Sequence, residues 1–258
     1  MYKKILLLWL VVSFYKSYSQ EHLPDFQLRI APSVDYKFAK NWTASFEFRY
    51  ALDQDMSEFR NSAYETGIRY DITKKASLET RYRFTTSFEN DSHLLFSNFR
   101  YKFKLNKHFS LKSTTRYQFR TGSFDPDYMQ YFKTPTQLLR EKISLEYSIP
   151  KSNFSVYVAP ELFLKIGDKD LPYLSYNRMR YNAGVDYALK YGNAVGLGFF
   201  FEDRNNPTKT DRFVLTTKYN LSIDELAKKI KKNRDKKNGI VNPEKKKKKK
   251  KKKDTNPE

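Results

Sequence analysis

The sequence predicts an all-β fold, namely an antiparallel, up-and-down transmembrane β-barrel of ten or twelve strands in the outer membrane of a Gram-negative bacterium. Apolar and polar residues alternate along almost the whole chain, which is the period of β-strands. Aromatic residues make up 17% of a chain that is 30% charged and has a mean hydropathy of −0.78. That composition is typical of a barrel with aromatic girdles and a polar lumen. No apolar run after the N-terminus is long enough for a transmembrane helix.

Residues 1–19 have the layout of a secretory signal peptide. Two lysines, beginning at Lys3, precede an apolar segment from Ile5 to Phe14, and small residues lie just before Gln20. The apolar segment is too short for a stop-transfer helix, so we expect export and a mature chain that begins near Gln20. The alternative is an N-terminal membrane anchor.

The clearest strand pair lies between residues 99 and 119. Phe99, Tyr101 and Phe103 alternate with Arg100 and Lys102, and the same alternation resumes after a turn with the sequence Asn-Lys-His. Side chains alternate between the two faces of a strand, so one face of this hairpin is aromatic and the other is charged.

The other predicted strands repeat this pattern. Connections after the odd-numbered strands are short and those after the even-numbered strands are longer, as expected for periplasmic turns and outer loops. Eleven segments are recognisable, but bacterial single-chain barrels have even strand numbers. We therefore expect ten or twelve strands, with either an uncounted strand near residues 20–28 or 128–133 or two merged segments. The segments cover residues 26–38, 42–52, 64–72, 78–88, 93–105, 109–119, 139–149, 154–166, 178–189, 195–202 and 213–223.

The charged residues on the polar face are candidates for lining the lumen. They carry both signs, with ten Arg and six Glu, so we expect ion pairs that bridge across the lumen. Two readings stay open: a pore that favours anions, and a narrow lumen closed by ion pairs. The candidates are Glu47, Arg49, Glu65, Arg69, Glu79, Arg81, Arg83, Arg100, Arg116, Arg120, Arg140, Glu146, Glu161, Arg178, Arg180 and Glu202.

The chain ends in a basic segment of a different kind. Asp224 is a suitable N-cap for a short basic helix over residues 224–239, and nine consecutive lysines lie in a lysine-rich tail, residues 240–258, that we expect to be disordered. The formal net charge is +20, of which residues 224–258 contribute +10, so the barrel at 20–223 offers little support for nucleic-acid binding. The tail is expected either to contact anionic lipid or other envelope components or to stay solvated.

Catalytic and metal-binding patterns are absent from the sequence. The three histidines, His22, His93 and His108, lie outside any G-x-S-x-G or H-E-x-x-H context, and there is no cysteine. We therefore expect no enzymatic activity, no cofactor and no metal. An outer-membrane enzyme acting on lipid or envelope substrates is one alternative, and a secreted soluble barrel that binds a ligand in its interior is another.

Several stretches resemble one family of outer-membrane proteins. They are the opening VDYKFAKNWTASFEFRY, the hairpins GIRYDITKKASLETRYRF and YKFKLNKHFSLKSTTRYQFR, and the EDRNN segment before the last strand. With the export signal ending in SYSQ, they resemble the Bacteroidota-type family named after domain of unknown function 2490, over roughly residues 25–223. The resemblance implies a porin-like barrel of undetermined role, and it implies no catalytic residues. We expect a structural function or the passage of small solutes, with outer-membrane lipid as the surrounding partner.

Overall fold

A computed structural model describes residues 25–88, 91–124, 135–167, 173–204 and 211–224. The described residues form eleven strands, joined into one closed barrel. Within them, no helix has both the length and the apolar character needed to cross a membrane. The signal peptide at 1–19, the lysine-rich tail and all but the first residue of the basic helix lie outside the described residues. The strands are β1 (Asp25–Ala39), β2 (Trp42–Asp53), β3 (Glu58–Asp71), β4 (Ala76–Thr86), β5 (Asp91–Lys104), β6 (Phe109–Phe124), β7 (Thr136–Ser148), β8 (Phe154–Ile166), β9 (Leu174–Ala188), β10 (Ala194–Arg204) and β11 (Arg212–Ser222).

The expectation of ten or twelve strands is wrong for the described chain, because the barrel closes with eleven. Each strand pairs antiparallel with the next, whereas β1 pairs with β11 in parallel, from Asp25 opposite Arg212 to Asp35 opposite Ser222. In an odd series of alternating strands the first and last run in the same direction, so a parallel ladder is the one that can close the sheet. This seam satisfies the backbone groups that two free edges would leave unpaired. Residues 128–133, considered above as an uncounted strand, lie outside the described residues.

The two rims of the barrel differ. The short-turn rim carries the connections after the odd-numbered strands, at 40–41, 72–75, 105–108, 149–153 and 189–193. Asn106 shows how one of these turns is held, since its side-chain oxygen accepts hydrogen bonds from the backbone N–H groups of His108 and Phe109, both at 2.8 Å. The long-loop rim carries the other connections, the longest of which lies between β6 and β7. With eleven strands, Asp25 begins at the long-loop rim and Ser222 ends at the short-turn rim.

The outer face of the barrel is apolar and bounded by aromatic residues near both rims. Near the short-turn rim, Trp42 packs on Tyr70 with ring centroids 4.7 Å apart. Near the long-loop rim, Phe26 stacks on Phe213 at 5.2 Å across the seam, and Phe201 lies 5.0 Å from the same ring. Directly opposed aromatic pairs stabilise neighbouring strands.

The inner face is polar and charged. Its buried side chains include carboxylates, amides and hydroxyl groups beside a few rings and small apolar residues. Glu202 and Asn98 are completely buried, and Glu79 is 1% exposed. The strands therefore alternate between an apolar outer surface and a charged lumen, as their sequence pattern predicts.

A charged belt inside the barrel

Glu65, on β3, organises the first part of the charged interior. Its side chain is 2% exposed and lies between arginines of the two neighbouring strands. From β4, Arg81 Nη1 lies 2.9 Å and Arg83 Nη2 2.6 Å from its carboxylate oxygens. From β2, Arg49 Nη2 lies 3.4 Å away and also pairs with Glu47. One carboxylate thus holds three guanidinium groups.

Glu79 continues the network from β4 to β5. Asn98 donates from Nδ2 at 2.7 Å, Arg100 donates to the same oxygen, and Arg81 Nη2 lies 2.8 Å from the other one. Asn98 also accepts a hydrogen bond from Arg116 Nε on β6 at 2.6 Å. Through this amide, β6 joins the network although Arg116 has no carboxylate partner among the described residues.

The part of the network with the most ion pairs surrounds Glu161 on β8 and Glu202 on β10. Arg140 on β7 pairs with Glu161, and Arg180 on β9 lies between the two carboxylates, 3.4 Å from Glu161 and 2.5 Å from Glu202. Arg212 on β11 lies 2.9 Å from the other oxygen of Glu202. Glu202 is completely buried by these partners.

Together these residues form a ring around the lumen, called here the charged belt. Gln118 on β6 accepts from Arg140 at 3.1 Å, and Gln27 on β1 accepts from Arg212 at 3.4 Å, so the belt reaches all eleven strands. It consists of Gln27, Arg49, Glu65, Glu79, Arg81, Arg83, Asn98, Arg100, Arg116, Gln118, Arg140, Glu161, Arg178, Arg180, Glu202 and Arg212, with Glu47 and Arg29 beside it.

The ion pairs of the belt connect the same or neighbouring strands, so the expectation of pairs that bridge the lumen is wrong for them. Neighbouring strands lie about 4.8 Å apart, well within the reach of an arginine, whereas the opposite wall is much farther away. Most guanidinium groups of the belt therefore pair with a carboxylate on the same strand or a neighbouring one. Nearer the short-turn rim, Lys102 pairs at 3.7 Å with Glu146, two strands away.

Three inward rings hold guanidinium groups against the wall. The ring of Phe163 lies 4.1 Å from Arg178 and 4.3 Å from Arg140, measured from the guanidinium carbon to the ring centroid. Phe96 carries Arg116 at 4.1 Å, and the third ring, Phe200, carries Arg180 at 4.3 Å. A guanidinium on an aromatic face gains cation–π attraction, which keeps these long side chains along the wall.

Two glycines, Gly184 on β9 and Gly198 on β10, leave space for the side chain of Tyr157 on β8. Its hydroxyl oxygen lies 2.6 Å from the place where a Cβ of Gly184 would be and 2.9 Å from that of Gly198. A side chain at Gly184 would push the phenol toward the barrel axis. Glycines at this part of the wall therefore keep the lumen wider.

Arg29 and Arg116 are the least compensated members of the belt region. Among the described residues neither has a carboxylate oxygen within 4.0 Å, and Arg29 faces the ring of Phe200 at 5.4 Å. Both side chains line the central cavity. The lumen therefore carries an excess of positive charge at the level of the belt.

The belt surrounds an open space. A cavity of about 1250 Å³ is lined by Glu58 and Phe88 toward the long-loop rim and by Gly196 and Lys218 toward the short-turn rim. A second cavity of about 540 Å³ lies at the short-turn rim, where its lining is rich in lysine and shares Arg100 with the first. The ion pairs thus line the lumen without filling it.

The structure places most of the sixteen candidate residues at the central cavity. Four lie elsewhere on the inner face: Glu79 and Glu202 are buried behind arginines, Arg69 lies 3.3 Å from Asp71, and Glu146 pairs with Lys102. The cavity-lining candidates are Glu47, Arg49, Glu65, Arg81, Arg83, Arg100, Arg116, Arg120, Arg140, Glu161, Arg178 and Arg180.

Sequence reasoning left eight residues of this region off the candidate list, three of them the buried amides Gln27, Asn98 and Gln118. Arg29 and Arg212 were left out although they alternate with outward residues, and the three inward rings were overlooked because phenylalanine is expected on the apolar face. Strand parity is the signal that finds them, because each ring lies two positions from an inward polar residue, as Phe163 does from Glu161.

The histidines of the described part of the chain lie apart from one another and from the charged belt. No group of three or more His, Asp or Glu residues there could hold a metal ion. His93 lies on the outer face, where its Nδ1 is 2.5 Å from the hydroxyl of Tyr82, and His108 lies in a turn. His22 lies outside the described residues.

Comparisons with known proteins identify a family and a solved structure that is similar in part. The model of the family described as "Protein of unknown function (DUF2490)" matches residues 17–214. A solved structure of the NanC porin, in a rhombohedral crystal form, is similar with a TM-score of 0.46 and 10% sequence identity, and the match covers 74% of this chain and 95% of that one. No curated protein matches the chain.

Proposed function

The chain belongs to the DUF2490 family, whose function is unknown, and we propose that it is an outer-membrane, porin-like barrel that lets small anionic solutes pass through its charged belt. The proposal has two parts, the placement of the barrel in a membrane and the charge preference of its lumen. Each part is supported by a different face of the strands.

The outer face supports membrane insertion. Large apolar side chains such as Ile68, Leu95 and Val158 are about half exposed in the isolated barrel, and aromatic pairs flank them near both rims. This is the surface of a transmembrane barrel, with an apolar band between two aromatic girdles. A soluble ligand-binding barrel has the opposite arrangement, with apolar residues inside and polar ones outside.

The observation that carries the anion preference is the position of Arg29 and Arg116. Both line the cavity at the level of the belt, and neither has a carboxylate partner among the described residues. Charged side chains that line a pore set its selectivity, and arginine favours anions. Most other arginines of the belt are paired with carboxylates, so Arg29 and Arg116 add net positive charge along the path of a passing solute. Arg120, Lys142 and Lys218 also line the cavity and add to that charge.

Liposome swelling tests this proposal with solutes of matched size. Purified protein in liposomes should admit galacturonate faster than neutral galactose. The double variant Arg29→Gln/Arg116→Gln should lower that ratio by about two- to threefold, because two charges act within roughly one Debye length of the solute. Lys190→Gln removes one positive charge from a short turn outside the lumen and should leave the ratio unchanged. A wild-type protein that admits neither solute would contradict the proposal.

We also propose that the barrel has no catalytic site and needs no cofactor. The support is the chemistry of the described inner face, where the most buried carboxylates, Glu65, Glu79, Glu161 and Glu202, are paired with arginines, and the histidine of β5 lies on the outer side. A hydrolase assay on ester and phospholipid substrates tests this, and turnover that is lost in an inner-face variant would contradict it.

Export and lipid contact complete the proposal. The mature protein should begin near Gln20, as intact-mass measurement can verify, and should fractionate with the outer membrane. The lysine-rich tail should add affinity for vesicles with anionic lipid, compared with a chain truncated after residue 239. A full-length product in the soluble fraction would contradict the membrane placement.

A further inference from the structure

Glu141 is an acidic residue on the outer face of the barrel. It lies in the middle of β7, between the outward residues Leu139 and Ile143, and opposite Leu162 of β8. In the membrane placement proposed above, on which this inference rests, these neighbours face lipid. A charged side chain in contact with lipid costs free energy unless a partner shields it from the lipid. An ionisable residue at a membrane-facing position therefore indicates a functional site.

Two hydroxyl groups orient the carboxylate of Glu141. Ser113 Oγ donates at 2.7 Å to one oxygen and Thr115 Oγ1 donates at 2.6 Å to the other. A carboxylate has about four acceptor positions, so these bonds fix its direction without saturating it. Among the described residues Glu141 has no cationic partner, in contrast to Glu65, which has three.

The polar surface continues from Glu141 across the neighbouring strands. Thr80 on β4 and Ser97 on β5 lie directly opposite each other, and their hydroxyl oxygens are 3.0 Å apart. On β6, Ser97 lies opposite Tyr117 and diagonally next to Thr115, whose direct partner on β5 is Phe99. We call the outward set Thr80, Ser97, Ser113, Thr115 and Glu141 the polar stripe. It crosses four strands, β4 to β7, on a face that is otherwise rich in large apolar side chains.

The stripe has the composition of an interface inside a membrane. Small hydroxyl residues let two surfaces approach closely and form hydrogen bonds in a medium that offers no water. One end, at β7, carries an acceptor with free capacity, and the other end, at β4 and β5, carries a pair of hydroxyl groups. A surface with an acceptor at one end and donors at the other is complementary to itself.

We propose that the polar stripe is the interface of a dimer with a second copy of this chain. Copies inserted in the same direction are related by a two-fold axis along the membrane normal, so the β7 end of one stripe faces the β4 end of the other. Glu141 of each copy then accepts a hydrogen bond from Thr80 of the second copy, whose hydroxyl in turn accepts from Ser97. Both carboxylates leave the lipid, and the two lumens stay separate.

Cysteine cross-linking tests the dimer directly, because the natural chain contains no cysteine. Ser97→Cys places one thiol on β5, next to the proposed two-fold axis between β5 and β6, and we expect oxidation or a short bismaleimide in intact outer membranes to give a covalent dimer. Thr217→Cys is the matched control, since it replaces an outward hydroxyl residue on β11, on the opposite side of the barrel. Equal cross-linking of the two variants would overturn the proposal.

A second variant tests the role of the carboxylate. Glu141→Leu in the Ser97→Cys background should reduce the cross-linked fraction about tenfold, and the same substitution alone should shift the mass in detergent from dimer to monomer. Heat-modifiable gel mobility verifies that each barrel is folded. If the variant stays fully dimeric, Glu141 is not part of the interface and the proposal fails.

The outcomes separate this proposal from the proposed function. A folded, conducting barrel that is monomeric overturns the dimer alone. A protein recovered outside the membrane overturns the proposed function as well.

Discussion

Glu161 and Glu141 lie on neighbouring strands of the same wall but face opposite sides of it. Glu161 points inward and pairs with Arg140 and Arg180, whereas Glu141 points outward and receives only two hydroxyl hydrogen bonds. The inner carboxylate is therefore neutralised within the chain, and the outer one is oriented but not neutralised. The comparison shows that the buried carboxylates of the lumen are neutralised by arginines of the same chain, whereas the outer carboxylate keeps acceptor positions for the proposed second copy.

The largest effect is expected when an inner carboxylate is removed. Glu202→Gln leaves Arg178, Arg180 and Arg212 without their shared counter-charge, and removing one partner of a buried pair destabilises by about 3–5 kcal/mol. Denaturant unfolding in lipid vesicles measures this, followed by the fluorescence of Trp42, the one tryptophan after the predicted signal peptide.

The outer carboxylate provides the control for that experiment. Glu141→Gln leaves no unpaired cation among the described residues, so its free energy of unfolding should change by less than about 1 kcal/mol. Equal losses in the two variants would remove the distinction between the inner and outer faces.

A charge placed on the outer face should have the next largest effect. Val158 is 55% exposed in the middle of β8, and Val158→Arg should destabilise the barrel by about 2–4 kcal/mol through contact with lipid. Lys142→Gln, on the inner face of the adjacent strand, should be mild. The two variants are compared by their folding yield into vesicles, measured from heat-modifiable gel mobility. A Val158→Arg barrel that folds as well as the wild type would mean that this face contacts water and not lipid.

A smaller effect is expected from the rings of the belt. Phe163→Leu removes the surface on which Arg140, Arg178 and Arg180 stack, and the loss should be about 1–2 kcal/mol. The three guanidinium groups keep their carboxylate partners but lose the ring that holds them along the wall, so single-channel conductance should also change. Phe199→Leu, an outward ring on β10, is the control and should leave conductance unaltered. A conductance that is the same in all three proteins would contradict the role given to the ring.

The alternation of residues was sufficient to predict the strands, their faces and the charged lumen, because period-two patterning is a local property. Strand pairing at the seam is not a local property, because the parallel pairing of β1 with β11 depends on the total number of strands. The rule that bacterial barrels have an even number of strands gave the wrong expectation here. The carboxylate partners of the arginines could not be predicted from the sequence either. Whether an arginine pairs with a neighbouring strand or with the opposite wall depends on the diameter of the barrel. Glu141 was overlooked for a different reason, because its neighbours Arg140 and Lys142 made it look like part of the polar face.

The reversal potential of a single channel tests the central claim most directly. Arg29 and Arg116 have no carboxylate partner among the described residues, so we predict that the channel prefers chloride to potassium. In a planar bilayer under a potassium chloride gradient, the wild-type reversal potential should therefore have the sign of a chloride-selective current. Arg29→Gln/Arg116→Gln should move that potential toward zero. A cation-selective current, or no current from a correctly folded barrel, would contradict the account.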